Sequence, residues 1–281
     1  MVALTDPQLW DLIKEDVPYI DLTTEVLGIG DVPGRMEYFT REECVVCCTE
    51  EMARIMGMLG LKVASFAKTG TRLHAGDVFL RAEGTAALLH VAWKVCLNLA
   101  DHYSAVATKA DGMVRAVHEV NPRCEVLTTR KSLPGTKELM VKAVMAGGAF
   151  PHRLGLSESV LVFDQHLAFM GGLDGFLAAL PDIRSKCCEK KIFVETGADD
   201  AARLAQAGVD GLQFDKVPAG QLAKLVARLR ADYPRITLVA AGGINPGNAA
   251  EYAATGVDGL ATTALFTAKP LDMSVRMEPT G

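Results

Sequence analysis

Beyond Asn121-Pro122 the chain carries six short apolar runs separated by amphipathic segments: CEVLTT, SVLVFD, KIFVET, DGLQFD, ITLVAA and DGLATT. Strands this continuously apolar are buried on both faces, and their alternation with helical segments specifies a parallel sheet covered by helices. The unit repeats visibly, because Gly208-Val-Asp-Gly-Leu212 returns as Gly256-Val-Asp-Gly-Leu260, each time entering a strand from a helix. A sheet of such βα steps that curls into a barrel places its chemistry at the carboxyl ends of the strands.

The first part of the chain has a different texture. Asp6 to Asp16 holds Leu9, Trp10, Leu12 and Ile13 on a helical spacing, with Thr5 or Asp6 as cap. No clear period runs from Tyr19 to Gly34. The pattern then predicts strands over 37–40 and 44–48, a helix over 50–59, and strands over 62–67 and 78–82, a small α+β module. From Thr85 to about Val120 the sequence is rich in alanine and leucine at helical spacing and predicts one long helix or two consecutive ones. The expected division is residues 1–110, residues 111–275 and a tail at 276–281.

A chain of 281 residues with 49% apolar content can bury a large core, in one domain or two. Its net charge of −5 provides no general basic field, so nucleic acid is not an expected partner and any anion site must be local. The N-terminus has no basic region followed by an apolar run, and nowhere do eighteen apolar residues stand together, so a cytoplasmic protein is expected. The seven cysteines, an odd number, suggest buried thiols rather than a disulfide framework. The Cys44-Val-Val-Cys47 spacing lacks a second pair to complete a metal set.

The strand ends supply the candidate site. Arg130 and Lys131 follow one strand and His152-Arg153 follows Gly147-Gly148, so two basic pairs converge as an anion site requires. Glu195 and Asp215 end two strands consecutive in sequence, a suitable arrangement for a magnesium ion or sugar hydroxyls. Gly242-Gly243 precedes a helix, and with the hydroxyls of Thr262 and Thr263 it can hold a phosphate. Plainer explanations exist for each: Glu195 could pair with Arg203 and Asp215 with Lys216. Lys137 and Lys142 read as the solvated face of a helix, and His74, His90, His102 and His118 as structural.

These residues resemble the quinolinate phosphoribosyltransferases, the carboxylating nicotinate-nucleotide pyrophosphorylases. The likeness rests on Leu97-Asn-Leu99, Ser104-Ala-Val-Ala-Thr108, Thr129-Arg-Lys-Ser-Leu-Pro-Gly135, Gly147-Gly-Ala-Phe-Pro-His-Arg-Leu-Gly-Leu156, Gly242-Gly-Ile244 and Tyr252-Ala-Ala-Thr-Gly-Val-Asp258. It implies an α/β fold in which an N-terminal open sandwich packs on a six-stranded, TIM-like α/β barrel. It also implies a homodimer or higher oligomer with a shared site. Arg130, His152 and Arg153 would then face the acceptor, Lys131 the pyrophosphate of phosphoribosyl pyrophosphate, and Glu195 and Asp215 the ribose hydroxyls and magnesium.

Several positions depart from that pattern. Lys94 stands where the family has an arginine reaching in from the partner, Phe163 where it has a lysine, Val239 where a glutamate precedes the glycine pair, and Lys216 where an asparagine follows the aspartate. Exchanging a lysine for phenylalanine removes a donor and adds an apolar wall, which is unfavourable for a dicarboxylate. These changes resemble the ModD branch of the family, candidate pyrophosphorylases associated with molybdenum transport. The implied activity is magnesium-dependent transfer of ribose 5-phosphate to a heteroaromatic acceptor with fewer acidic groups than quinolinate. The competing readings are the family's own quinolinate activity in NAD synthesis, a phosphosugar lyase or isomerase with Lys131 as Schiff-base amine, and a non-catalytic oxyanion-binding protein in molybdate handling.

Overall fold

Two sheets of opposite character account for most of the strands in the computed structural model, which describes residues 4–280. The strands in chain order are β1 (Pro33–Thr40), β2 (Cys44–Val45), β3 (Lys62–Phe66), β4 (Arg72–Leu73), β5 (Val78–Thr85), β6 (Glu125–Thr128), β7 (Phe150–Pro151), β8 (Val160–Val162), β9 (Ile192–Thr196), β10 (Gly211–Asp215), β11 (Thr237–Ala241), β12 (Gly259–Thr262) and β13 (Met273–Pro279). They form an antiparallel sheet ordered β13-β1-β5-β3, a small β2-β4 ribbon, and a parallel sheet ordered β7-β6-β12-β11-β10-β9-β8. Chain contacts divide the protein into two compact units. One comprises the chain up to Asp111, Ser132–Gly148 and the segment from Phe266 onward; the other comprises Gly112–Lys131 and Ala149–Leu265.

In the first unit, β1 alternates as a half-buried strand should: Met36 and Tyr38 are fully buried and Arg35 and Glu37 point the other way. The segment 19–34, which shows no period in sequence, contains a helix at Leu22–Leu27. Asp21 caps it by accepting the Thr24 N–H at 3.2 Å, and Gly28 ends it at φ 64°. A helix of six residues is too short to establish a period. The strand expected over 44–48 is shorter than predicted, Cys44–Val45, because Cys48 turns to φ 67° as the N-cap of the helix Thr49–Met58. The alanine-rich segment forms a single helix, Ala86–Val120. No helix among the described residues is long and apolar enough to cross a membrane.

Lys142 is not on a solvated face. The helix Lys137–Ala146 buries every residue from Leu139 to Val144, and Lys142 is 5% exposed. Its Nζ lies 2.5 Å from Glu51 Oε2 and 2.9 Å from Glu50 Oε2. Glu50 also accepts the Thr69 N–H at 2.9 Å and the Thr69 hydroxyl. Burial alone would raise the Glu50 carboxyl, but the hydrogen bonds from Thr69 and Lys142 outweigh it and hold the group at about 2. Burial would lower the Lys142 pKa, but the hydrogen bonds its ammonium donates to Glu51 and Glu50 outweigh it and raise the pKa.

The second unit corrects the expected strand count. All six apolar runs are strands, and the parallel sheet contains a seventh, β7, which pairs with β6 at Leu127↔Phe150 and Thr128↔Pro151. A two-residue strand ending in proline has no period to detect, and its place at the sheet edge is where a missing N–H is tolerated. Among the described residues β7 and β8 are not paired with each other, so the sheet is an open, curled half-barrel. The repeated Gly-Val-Asp-Gly-Leu segments perform matching jobs: Asp210 Oδ2 accepts the Ile192 N–H at 2.8 Å and Asp258 Oδ2 the Leu238 N–H at 2.7 Å.

Candidate active site

All seven parallel strands send residues from their C-terminal ends into one cavity of about 840 Å³. Thr129, Arg130 and Lys131 follow β6, His152 and Arg153 follow β7, and Leu161, Phe163 and Gln165 come from β8 and beyond it. Glu195 comes from β9, Gln213, Asp215 and Lys216 from β10, Ala241 to Asn245 from β11, and Ala261 to Ala264 from β12. Both edges of the sheet thus border the same space, which is the geometric meaning of its curl. Eleven of the twelve residues expected in the site line this cavity. The twelfth, Lys94, is exposed on the helix Ala86–Val120.

The cation-rich side is built by β6 and β7. The His152 N–H donates to Thr128 O at 2.9 Å, which fixes the basic pair as an extension of the sheet ladder. The His152 ring stands edge-on to Phe193, centroids 6.2 Å apart. Burial, reinforced by the positive Arg153, lowers the His152 pKa and favours the neutral ring. Arg153 is 9% exposed; burial and Arg130 lower its pKa, while Glu158 opposes them. Arg130 and Arg153 thus bring two guanidiniums to one cavity, the arrangement that anion recognition requires.

The carboxylate side lies on neighbouring strands, β9 and β10, which pair in parallel. Glu195 Oε2 accepts a hydrogen bond of 2.6 Å from Gln213 Nε2. Burial raises the Glu195 carboxyl; Gln213 and Lys131 oppose the rise, and Asp215 and Asp164 add to it. The suggested pairing of Glu195 with Arg203 does not form, since Arg203 is engaged by Asp174 and Asp200. The suggested pairing of Asp215 with Lys216 does form, Nζ to Oδ2 at 3.7 Å. Gln213 was not singled out in sequence, although a lone glutamine two residues before an aspartate on an apolar strand shares its face and was the available signal.

The end expected to hold a phosphate is a turn rather than a helix terminus. Gly242 and Gly243 both adopt positive φ, 80° and 81°, and a Cβ at Gly242 would overlap Asp215 Oδ1 and the Lys216 backbone. The helix that follows begins only at Ala249; between them Asn245 Oδ1 accepts the Gly247 N–H and Asn248 Oδ1 the Asn245 N–H. The Thr262 hydroxyl is committed to donating to Ile244 O at 2.6 Å and accepting from Ala264 N. Thr263 is hydroxyl-bonded to Thr129 at 2.8 Å. The two threonines therefore brace the strand ends and the turn. Beyond β8, Phe163 lines the cavity; it stacks on His166 with centroids 5.8 Å apart and donates its N–H to His166 Nδ1 at 3.0 Å.

Residues 106–276 match the C-terminal domain of quinolinate phosphoribosyl transferase and residues 21–104 its N-terminal domain. The chain is 41% identical over 251 residues to a protein of Rhodobacter capsulatus named as the candidate pyrophosphorylase ModD, covering 89% of this chain and 96% of that one. It is 32% identical over 260 residues to the carboxylating nicotinate-nucleotide pyrophosphorylase of Mycobacterium leprae, covering 90% and 89%. Its fold is that of NadC from Streptococcus pyogenes, with a TM-score of 0.90 at 24% identity and full coverage of both chains. With both domains matched in order and a single cavity at the strand ends, the chain belongs to the quinolinate phosphoribosyl transferase family.

Proposed function

We propose that this chain transfers ribose 5-phosphate from phosphoribosyl pyrophosphate to a ring nitrogen of a heteroaromatic acceptor and releases pyrophosphate. The observation that carries this reading is the meeting, in one cavity, of two carboxylates from adjacent strands with the cations Arg130, Lys131 and Arg153. As the anomeric C–O bond breaks, its electron pair leaves with pyrophosphate and positive charge develops on the ribose. Carboxylates beside the sugar and cations beside the leaving group stabilise both.

Magnesium fits this donor set. No group of three or more His, Cys, Asp or Glu among the described residues could enclose a metal ion, and magnesium is commonly held by one or two carboxylates together with substrate phosphates. Glu195 and Asp215 would hold it, and bound there it would neutralise charge on the diphosphate. Asp215 is part of what raises the Glu195 carboxyl, and a cation held by the two residues would relieve that repulsion.

Phe163 favours an acceptor with fewer acidic groups than quinolinate, because it brings an apolar ring into the cavity that holds the basic pairs. The carboxylating activity of the Mycobacterium leprae relative is the second reading, and quinolinate belongs in any acceptor panel. Pyrophosphate release with a monocarboxylate heterocycle and not with quinolinate is the expected result. Absence of release with every heterocycle, and of any thermal shift with phosphoribosyl pyrophosphate and magnesium, overturns it. Molybdate binding without turnover would instead mark an oxyanion-binding protein.

Two substitutions separate the ligands. Arg130→Ala is expected to raise the acceptor KM, and Lys131→Ala the donor KM, each by about ten-fold to a hundred-fold, the range for a hydrogen bond to a charged group. Equal losses for both ligands would count against this division. The exposed Lys94 is assigned to the partner's site in a homodimer. At acceptor concentrations well below KM, mixing the impaired Lys94→Ala and Arg130→Ala subunits should then restore about a quarter of wild-type activity, since each mixed dimer regains one complete site. No recovery on mixing would remove Lys94 from the site.

A further inference from the structure

Lys216 is in a backbone conformation that its side chain does not favour. Its φ is 56°, and with Cys48 it shares the left-handed region that asparagine and glycine enter readily and lysine does not. Such residues persist where surrounding structure holds them, and they cluster at ligand sites. Here the Lys216 N–H donates to Ala241 O at 2.9 Å, across to the strand that precedes the glycine turn. The side chain lines the same cavity as Glu195 and Asp215.

Its surroundings indicate what it meets. The Lys216 ammonium lies 3.7 Å from Asp215 Oδ2, and its Cγ flanks Gly242, where a Cβ would come within 2.6 Å of it. Lys131 acts electrostatically on Glu195. Lys216 thus stands beside one site carboxylate and against the glycine turn. A lysine whose stem packs against a glycine turn can direct its ammonium to a phosphate monoester held there.

We infer that Lys216 is a donor-binding residue that contacts the 5-phosphate of phosphoribosyl pyrophosphate at the Gly242-Gly243 turn. The inference rests on the phosphoribosyltransferase reading above. The strained backbone is kept because it delivers this charge, so function and stability should move in opposite directions when the lysine is removed.

The test is Lys216→Asn, which relaxes the backbone while deleting the ammonium, with Lys216→Arg as the charge-conserving control. Calorimetric titration with phosphoribosyl pyrophosphate, without acceptor, should show about a ten-fold weaker Kd for Lys216→Asn and near wild-type affinity for Lys216→Arg. The melting temperature of Lys216→Asn should equal or exceed that of wild type. A Kd within two-fold of wild type for Lys216→Asn would overturn the role of Lys216 alone. Wild-type protein that fails to bind phosphoribosyl pyrophosphate would overturn the phosphoribosyltransferase reading and this inference with it.

Discussion

Lys142→Ala is expected to destabilise the protein by about 3–5 kcal/mol, the usual cost of leaving a buried charge without its partner. Glu51, whose side chain is 2% exposed, would lose its contact at 2.5 Å, and Glu50 its contact at 2.9 Å. A lower urea midpoint followed by far-ultraviolet circular dichroism reads the effect. Removing the stranded charge as well, in Glu51→Gln/Lys142→Met, should recover much of the loss, because an uncharged, space-filling pair replaces a lone carboxylate. A single Lys142→Ala variant within about 1 kcal/mol of wild type would contradict the burial of this pair. Acid acts on the same cluster. Glu50 is held at about 2, below its ordinary value of 4.5, so its contribution is fully present above 4.5 and is lost as pH falls toward 2.

Glu195→Gln is expected to lower kcat by about a hundred-fold to a thousand-fold while leaving the donor Kd within a few-fold, the signature of a charge that matters most at the transition state. The amide can still accept from Gln213, so the change isolates charge from shape. Stability should move the other way. Burial and the nearby Asp215 and Asp164 raise the Glu195 carboxyl, so the folded protein holds that proton more tightly than the unfolded chain. The ionised form at neutral pH therefore costs stability, a cost that grows as pH rises through the ordinary glutamate range, and Glu195→Gln should melt higher at pH 7. In wild type the acid limb of the kcat/KM profile, which reports the free enzyme, should fall at higher pH than for an exposed glutamate. Equal melting temperatures at pH 7 would argue against the buried, repelled carboxylate.

Much of this site was legible because parallel strands announce themselves twice. Six apolar runs gave the sheet, and the residue after each run gave Arg130, Lys131, Glu195, Asp215 and Gly242 without any knowledge of pairing. What escaped depends on distance in the chain. Lys142 looked solvated because nothing near it in sequence shows that Glu50 and Glu51 meet it. The hydroxyls of Thr262 and Thr263 looked available to a phosphate because their partners, Ile244 O and Thr129, lie on other segments. Lys216 reads in sequence as a partner of Asp215 and as a departure from the family's asparagine, and neither shows its backbone, since a positive φ at a lysine leaves no trace in composition or period.

The placement of β13 bears on how the chain is made. Its register sets Gly34 against Pro279 and Thr40 against Met273, so β1 near the start of the chain waits for a strand near the end of it. During synthesis the whole half-barrel leaves the ribosome while one edge of β1 is still bare, a template for unwanted pairing between nascent chains. A chaperone that shields that edge, or slow elongation before Phe266, would influence yield without touching a single residue of the cavity.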